Sequence, residues 1–142
     1  MTIATPGDPA DHLRALLMVL LPFARDRITE DGDFYPFGAT MLPDGELQTA
    51  ATWQGDVEPT VEDVLDAVRA DLRARAGEGE LLATGVVAGV TIDDGGYALG
   101  IRVELEHRDA DPVTWVIPYR SDDDRYEEGE PFTVAATRHI WA

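Results

Sequence analysis

The chain has 142 residues, a formal net charge of −17 and no cysteine. Its length suits one domain with a core that needs no disulfide, and the missing cysteine excludes disulfides, thiolate metal ligands and cysteine nucleophiles. The sequence also has no lysine and a single serine, Ser121, which excludes a Schiff-base lysine, a P-loop and a G-x-S-x-G nucleophile.

The first predicted element is an amphipathic helix that follows a loose tail over residues 1–7. Asp8 is a typical helix N-cap, and Pro9 suits the first helical position. Apolar residues then recur at helical spacing, at Leu13, Leu16, Leu17, Leu20 and Ala24. We expect His12 at the surface. Pro22 cannot donate a backbone hydrogen bond, so we expect it to kink or end the helix.

A hairpin and a second helix come next. The stretches 37–42 and 46–52 can pair as strands, because the Pro-Asp-Gly sequence between them favours a tight turn. Thr60 is a typical N-cap, and the apolar stripe behind it predicts a helix that ends at Gly77 or Gly79.

The second half of the chain predicts strands. Residues 80–92 are rich in Leu and Val, and an Asp-Asp-Gly-Gly turn sequence follows them. Over 97–106 apolar and charged residues alternate, as in a strand with one buried face. Two further strands are expected, at 113–119 and 131–141.

The predicted order is therefore helix, two strands, helix and three or four strands. Because successive hairpins build antiparallel sheets, we expect a single α+β domain over 1–142. In this two-layer domain, two helices pack on an antiparallel sheet of about five to six strands. Residues 121–130 are predicted to form an acidic loop.

The negative charge is concentrated in two stretches. Residues 30–66 hold ten acidic residues and no basic one, and residues 121–130 hold six acidic residues and one arginine. This distribution disfavours nucleic acid and anionic membranes and favours a basic protein partner, although acidity that serves only solubility gives the same pattern. The longest apolar run, 15–24, is shorter than the roughly 20 residues of a membrane span, so we expect a cytoplasmic protein.

Three aromatic residues, Phe34, Tyr35 and Phe37, surround Pro36 at the start of the first strand. In an extended chain Phe34 and Pro36 would face one way, and Tyr35 and Phe37 the other, so only one pair can fill the core. The other pair would then offer a partner or ligand a landing site, unless Pro36 breaks the alternation and all three rings are buried. A second candidate partner-binding set lies in the acidic loop, at Asp122, Asp123, Asp124 and Tyr126.

One pattern has the composition of a metal site. His107, Asp109 and His139 supply two histidines and a carboxylate, the ligand set of non-haem iron sites, and residues two apart on a strand share a face. The alternative is a histidine at a strand end followed by an aspartate in a turn. Glu104 and Glu106 also share a strand face, which we interpret as solvent-exposed rather than as a catalytic pair.

The sequence contains no motif that identifies a reaction. We therefore expect a non-enzymatic protein-interaction module without a cofactor. Such a module could form a homodimer, or act as an inhibitor or immunity-type protein that masks a basic partner. The alternative is a small-ligand-binding protein or an enzyme with a pocket between helix and sheet. Salt should weaken the binding of a basic partner but not the binding of an apolar ligand.

Overall fold

The structure, a computed structural model, describes residues 7–32, 34–49, 59–122 and 125–141. These residues form two helices and seven strands in the order α1 (Pro9–Asp31), β1 (Phe37–Met41), β2 (Leu47–Thr49), α2 (Val61–Gly77), β3 (Ala83–Asp94), β4 (Tyr97–His107), β5 (Ala110–Asp122), β6 (Arg125–Glu128) and β7 (Phe132–Val134). Every strand pair among them is antiparallel. The predicted α+β fold, an antiparallel sheet packed by two helices, is therefore confirmed.

The sheet is built around the long hairpin of β3 and β4. Its strand order is β2-β1-β3-β4-β5-β6, and β7 also pairs with β5. Residues 119–122 of β5 pair with β6 and residues 114–116 pair with β7, so the two short strands share one edge. The predicted first hairpin is present as β1 and β2, and Gly45 in its turn adopts the left-handed conformation, with φ of 93°. Residues 50–52 of its predicted second strand lie outside the described residues.

The first helix begins as the sequence predicts but continues through its proline. Asp8 caps α1 with a capping box, and the helix runs past Pro22 to Asp31. Of the two outcomes expected at Pro22, a kink or an end, the end of the helix does not occur. Leu20 and Ala24, before and after the proline, are both buried against the sheet. Pro22 has no N–H to donate to the carbonyl of Met18. Because Pro22 is on the exposed side of the helix, water can hydrogen-bond to that carbonyl instead.

The main core lies between α1 and one face of the sheet. The helix contributes a continuous buried stripe of Leu13, Leu16, Leu20, Ala24 and Ile28. These side chains pack against Val87, Val103 and Leu105 of the central hairpin. Gly85 of β3 permits a close approach, because a Cβ there would lie only 2.4 Å from Cδ1 of Leu20. This contact of a helix with the sheet is the kind of packing that the sequence predicts.

The second helix covers part of the opposite face of the sheet. Neighbouring residues of a strand point to opposite faces, so Val86 lies across the sheet from Val87. A second, smaller core on that side comprises Val64, Val68 and Leu72 of α2 with Leu81, Val86 and Ile140. Neither helix in the described part of the chain is both long and apolar enough to cross a membrane.

Two predictions for the C-terminal part need correction. The segment 121–130, expected to be an acidic loop, contains the end of β5 at Asp122 and the whole of β6. The predicted last strand, 131–141, is reduced to the short strand β7, and the residues after it run without regular structure towards α2. Of the predicted loose tail, residues 1–6 lie outside the described residues.

Replacing Gly85 with alanine should destabilise the protein. The added methyl group would lie 2.4 Å from Cδ1 of Leu20 and 3.3 Å from Cδ2 of Leu105, so these buried side chains would have to move. We expect Gly85→Ala to lower the free energy of unfolding by about 1–3 kcal/mol, measured by urea denaturation.

Gly77, the last residue of α2, provides the matched control. Apart from the adjacent residues and the helix's own backbone, nothing lies within 4 Å of the position that its Cβ would take. Gly77→Ala should leave stability unchanged or raise it by up to about 1 kcal/mol, because alanine favours helix. Equal stability of the two variants would contradict the close packing of α1 on β3.

Candidate functional site

An open groove with a volume of about 850 Å³ lies between the C-terminal half of α1, the segment that enters β1 and the start of α2. We call it the aromatic groove. Among the described residues, its lining comprises Phe23, Arg27 and Asp31 of α1, residues 34–37, residues 59–61 and Val64. The end of α1 and the segment that follows it thus meet the start of α2 at one concave surface.

The rings of the groove support one another by edge-to-face packing. The centroids of Phe23 and Phe37 lie 4.8 Å apart, and those of Phe34 and Phe37 lie 5.7 Å apart. Phe34 is buried in the main core, whereas Phe23 remains 53% and Tyr35 47% exposed. The groove therefore has a fixed aromatic base and two accessible aromatic side chains at its rim.

The structure divides the aromatic residues much as strand alternation predicts. Phe34 and Pro36 are buried, Tyr35 is exposed and Phe37 is half-buried. Sequence reasoning missed Phe23, because it follows Leu16 by seven residues and Leu20 by three, which is the spacing of the buried stripe, and only the structure shows it exposed. It also missed Val61, which is 46% exposed at the start of α2.

One arginine lies among these rings. The guanidinium carbon of Arg27 is 5.8 Å from the ring centroid of Phe23. Its Nη2 donates to Glu30 at 2.6 Å, and its Nη1 lies 3.4 Å from the carboxylate of Asp31. Two carboxylates thus outweigh the single cation, and three more acidic residues stand on the first turns of α2, at Glu62, Asp63 and Asp66. The charged residues of the described lining are Arg27 and Asp31, so the excess of negative charge lies in the residues that flank the groove along α1 and α2.

The predicted metal ligands are not assembled into a site. Both ring nitrogens of His107 are engaged, because Nδ1 accepts the backbone N–H of Asp109 at 3.0 Å and Nε2 lies 3.0 Å from Nδ1 of His12. His139 lies instead 3.6 Å from a carboxylate oxygen of Glu104. Within the described ranges, no group of three or more histidine, aspartate or glutamate side chains could hold a metal ion.

The histidine at the end of β4 is part of the core. His107 is 1% exposed, and its partner His12 is also buried, against the expectation of a surface position. Burial lowers the pKa of His107, and the neighbouring His12 lowers it further, while the carboxylate of Asp109 opposes both effects. The neutral ring is therefore favoured.

Glu104 does not lie on a solvent-exposed face, contrary to prediction. It is buried under α2, where Nη2 of Arg69 lies 2.7 Å from each of its carboxylate oxygens. Nη2 of Arg102 lies 3.2 Å from the same carboxylate. Two arginines therefore neutralise Glu104, and its role is to join β4 to α2.

Glu106 is also buried, and it holds the C-terminal segment. One of its oxygens accepts the backbone N–H of His139 at 2.9 Å, and both oxygens accept that of Ile140 at 3.1 Å. The N–H of Trp141 lies 3.4 Å from the second oxygen. The apolar and charged residues of β4 alternate between two faces, as predicted. The charged face, however, is covered by α2 and the C-terminal segment and is not exposed to solvent.

The second candidate partner-binding set is mostly tied into the fold or cannot be placed. Tyr126 is half-buried, stacks on Tyr119 and donates its hydroxyl to Glu128 at 2.6 Å. Burial raises the pKa of Glu128, but the hydrogen bonds from Arg25 and Tyr126 outweigh it and hold that pKa below its ordinary value. Asp122 is exposed at the end of β5. Asp123 and Asp124 lie outside the described residues.

Comparisons with known proteins give no assignment. No protein-family model matches this chain, and no curated protein or solved structure matches it at a significant level. Function therefore has to be inferred from the geometry of the chain itself.

The Glu106 contacts generate a stability prediction. In Glu106→Gln one oxygen becomes an amide NH₂, which would face backbone N–H donors in a buried site. We expect a loss of about 1–3 kcal/mol in the free energy of unfolding. The exposed Glu78 is the control, and Glu78→Gln should change stability by less than about 0.5 kcal/mol. Similar values for the two variants in urea denaturation would contradict a structural role for Glu106.

Proposed function

We propose that this protein is a non-enzymatic interaction module that binds a basic, partly apolar segment of a partner protein in the aromatic groove. The observation that carries the proposal is the clustering of the exposed apolar side chains Phe23, Tyr35 and Val61 around one concave surface. Exposed apolar clusters of this kind mark interaction sites, because isolated monomers seldom leave them uncovered.

The rings of the groove suit the role of binding anchors. Aromatic side chains dominate the energetics of protein interfaces, above all where a concave site can exclude water around them. Phe23 is already held in place by Phe37. Fixing the side chain of Phe23 on binding therefore costs little conformational entropy.

Charge selects the kind of partner. The acidic residues on both sides of the groove outnumber Arg27, and the whole chain carries a net charge of −17. A basic segment would be attracted to these flanking acidic residues, and its approach would be accelerated. A second copy of the same chain would bring an equal negative charge to the site. We therefore favour a basic partner over a homodimer, including a partner whose basic surface this protein would mask.

The side chains that could act in acid–base chemistry are engaged in contacts within the fold. His107, Glu104 and Glu106 lie in the core, where each is bonded to a neighbouring element. The groove presents mainly apolar surface, and this supports binding rather than a reaction. A small apolar ligand is the second candidate, because a volume of about 850 Å³ falls within the range of small-molecule sites.

Synthetic peptides provide the test. The probe is an amphipathic Leu/Lys peptide of about 15 residues, and the matched peptide has every lysine replaced by glutamate. In isothermal titration calorimetry we expect the Leu/Lys peptide to bind and the Leu/Glu peptide to fail. Raising the salt from about 0.15 M to about 0.5 M should weaken binding of the Leu/Lys peptide.

Variants locate the binding site. Truncating an aromatic anchor, in Phe23→Ala or Tyr35→Ala, should weaken binding of the Leu/Lys peptide by roughly tenfold or more. Leu99 is the matched control, since it is 44% exposed on β4 and does not line the groove. Leu99→Ala should bind the peptide as the wild type does.

Three results would overturn the proposal. One is equal binding of both peptides, and another is an equal loss in Leu99→Ala and Tyr35→Ala. The third is a dimer in sedimentation that Tyr35→Ala dissociates, because the groove would then receive a second copy. Salt-independent binding of a neutral aromatic probe such as N-phenyl-1-naphthylamine, without binding of the Leu/Lys peptide, would favour the small-ligand candidate.

A further inference from the structure

Two buried histidines connect elements that are distant in sequence. Nδ1 of His12, in the first turns of α1, lies 3.0 Å from Nε2 of His107 at the end of β4. The two rings are nearly parallel, with 9° between their planes. On its other side, Nδ1 of His107 accepts the backbone N–H of Asp109 in the turn between β4 and β5. Asp109, His107 and His12 thus form one continuous chain of hydrogen bonds.

Only one arrangement of protons satisfies this chain. The N–H of Asp109 can only donate, so Nδ1 of His107 carries no proton, and the neutral ring must be protonated at Nε2. That Nε2–H then donates to Nδ1 of His12. His12 must therefore also be unprotonated at Nδ1.

An additional proton within this chain breaks one of its links. A proton on Nδ1 of His107 would face the N–H of Asp109, placing two donors against each other. A proton on Nδ1 of His12 would face the Nε2–H of His107. If the proton of His107 moved from Nε2 to Nδ1, it would instead face the backbone N–H of Asp109, and two donors would again oppose each other. The conflict follows from the geometry and does not depend on which ring accepts the proton.

We propose that His12 and His107 form an acid-sensitive latch, which joins the start of α1 to the end of β4 at neutral pH and opens on protonation. When the latch opens, the first turns of α1 separate from the turn between β4 and β5. Both rings are buried, so a charged imidazolium here also lacks the water that would otherwise solvate it. This device is independent of the aromatic groove.

The charged groups that face His107 do not remove the conflict. Arg108 and Asp109 come from the turn, and Nη1 of Arg138, from the C-terminal segment, donates to the carbonyl of His107 at 3.2 Å. Asp109 favours the charged ring, whereas Arg108 and Arg138 oppose it. Asp8 and Asp11, beside His12 on α1, form the capping box and bond to each other's backbone.

The direction of the pH effect follows from proton uptake. The pKa of His107 in the folded state lies below the ordinary value of 6.5, chiefly because of burial. In the interval between these two values the unfolded chain binds more protons than the folded chain. The stabilisation by the latch is therefore complete above about pH 6.5 and declines as the pH falls towards the folded-state pKa.

Nuclear magnetic resonance of the ring nitrogens tests the latch directly, because the chain contains only three histidines. At neutral pH we expect His107 to be protonated at Nε2 and His12 to be unprotonated at Nδ1. On acidification, the amide of Asp109 and those of the first turns of α1 should shift together with the histidine that takes up the proton. A proton found on Nδ1 of His107 at neutral pH would overturn the proposal.

Unfolding measurements supply the second test. The double variant His12→Asn/His107→Gln keeps a neutral acceptor facing a neutral donor and removes both titrating rings. Between about pH 7 and pH 5, the folding equilibrium constant of the wild type should fall by up to about tenfold per pH unit for each proton taken up, and that of the variant much less. His139→Gln, which removes the third histidine, should retain the fall.

The same pH dependence in the wild type and the double variant would contradict the latch. If the double variant does not fold, titration of the wild type still decides. Protonation of either ring without any shift of the Asp109 amide would show that the rings accept protons freely. In that case the hydrogen-bond chain would have no role as a switch.

Discussion

The close approach of α1 to the sheet at Gly85 fixes how this helix lies on the central hairpin. Leu20 occupies the space that a side chain at Gly85 would need. The helix is thereby held flat against β3 and β4, with Ala24 and Ile28 extending the contact. Phe23 lies just beside this buried stripe and meets Phe37 of β1. The aromatic groove is a consequence of that placement.

The two faces of the sheet are stabilised by different chemistry. The face under α1 is apolar except at its end, where His107 meets His12. The opposite face buries Glu104, paired with Arg69, and Glu106, bonded to backbone amides. Buried carboxylates persist only when ion pairs or hydrogen bonds replace the lost water; α2 supplies an ion pair to Glu104, and the C-terminal segment supplies backbone N–H donors to Glu106. The ionisable residues that invite a catalytic interpretation therefore hold the fold together, and the aromatic groove is the site that we propose for a partner.

Local patterns in the sequence predict the helices and strands well. They predict less well which faces of these elements are covered by other parts of the chain. The caps of both helices, the β3–β4 hairpin and the alternation of β4 follow from residues close together in the chain. The burial of Glu104 and Glu106 does not, because alternation marks a second face without showing that a helix covers it. Of the groove, the segment 34–37 could be predicted from its own composition. Phe23 and Val61 could not, because they reach the same site only through tertiary contacts.

The central claim is that the partner segment binds in the aromatic groove and not at the acidic hairpin of β5 and β6. A chemical-shift map of the protein, titrated with the Leu/Lys peptide, tests this claim most directly. We expect the largest changes at Phe23, Tyr35 and Val61, and none at Leu99. Changes centred on residues 119–128, or spread evenly over the acidic surface, would contradict it.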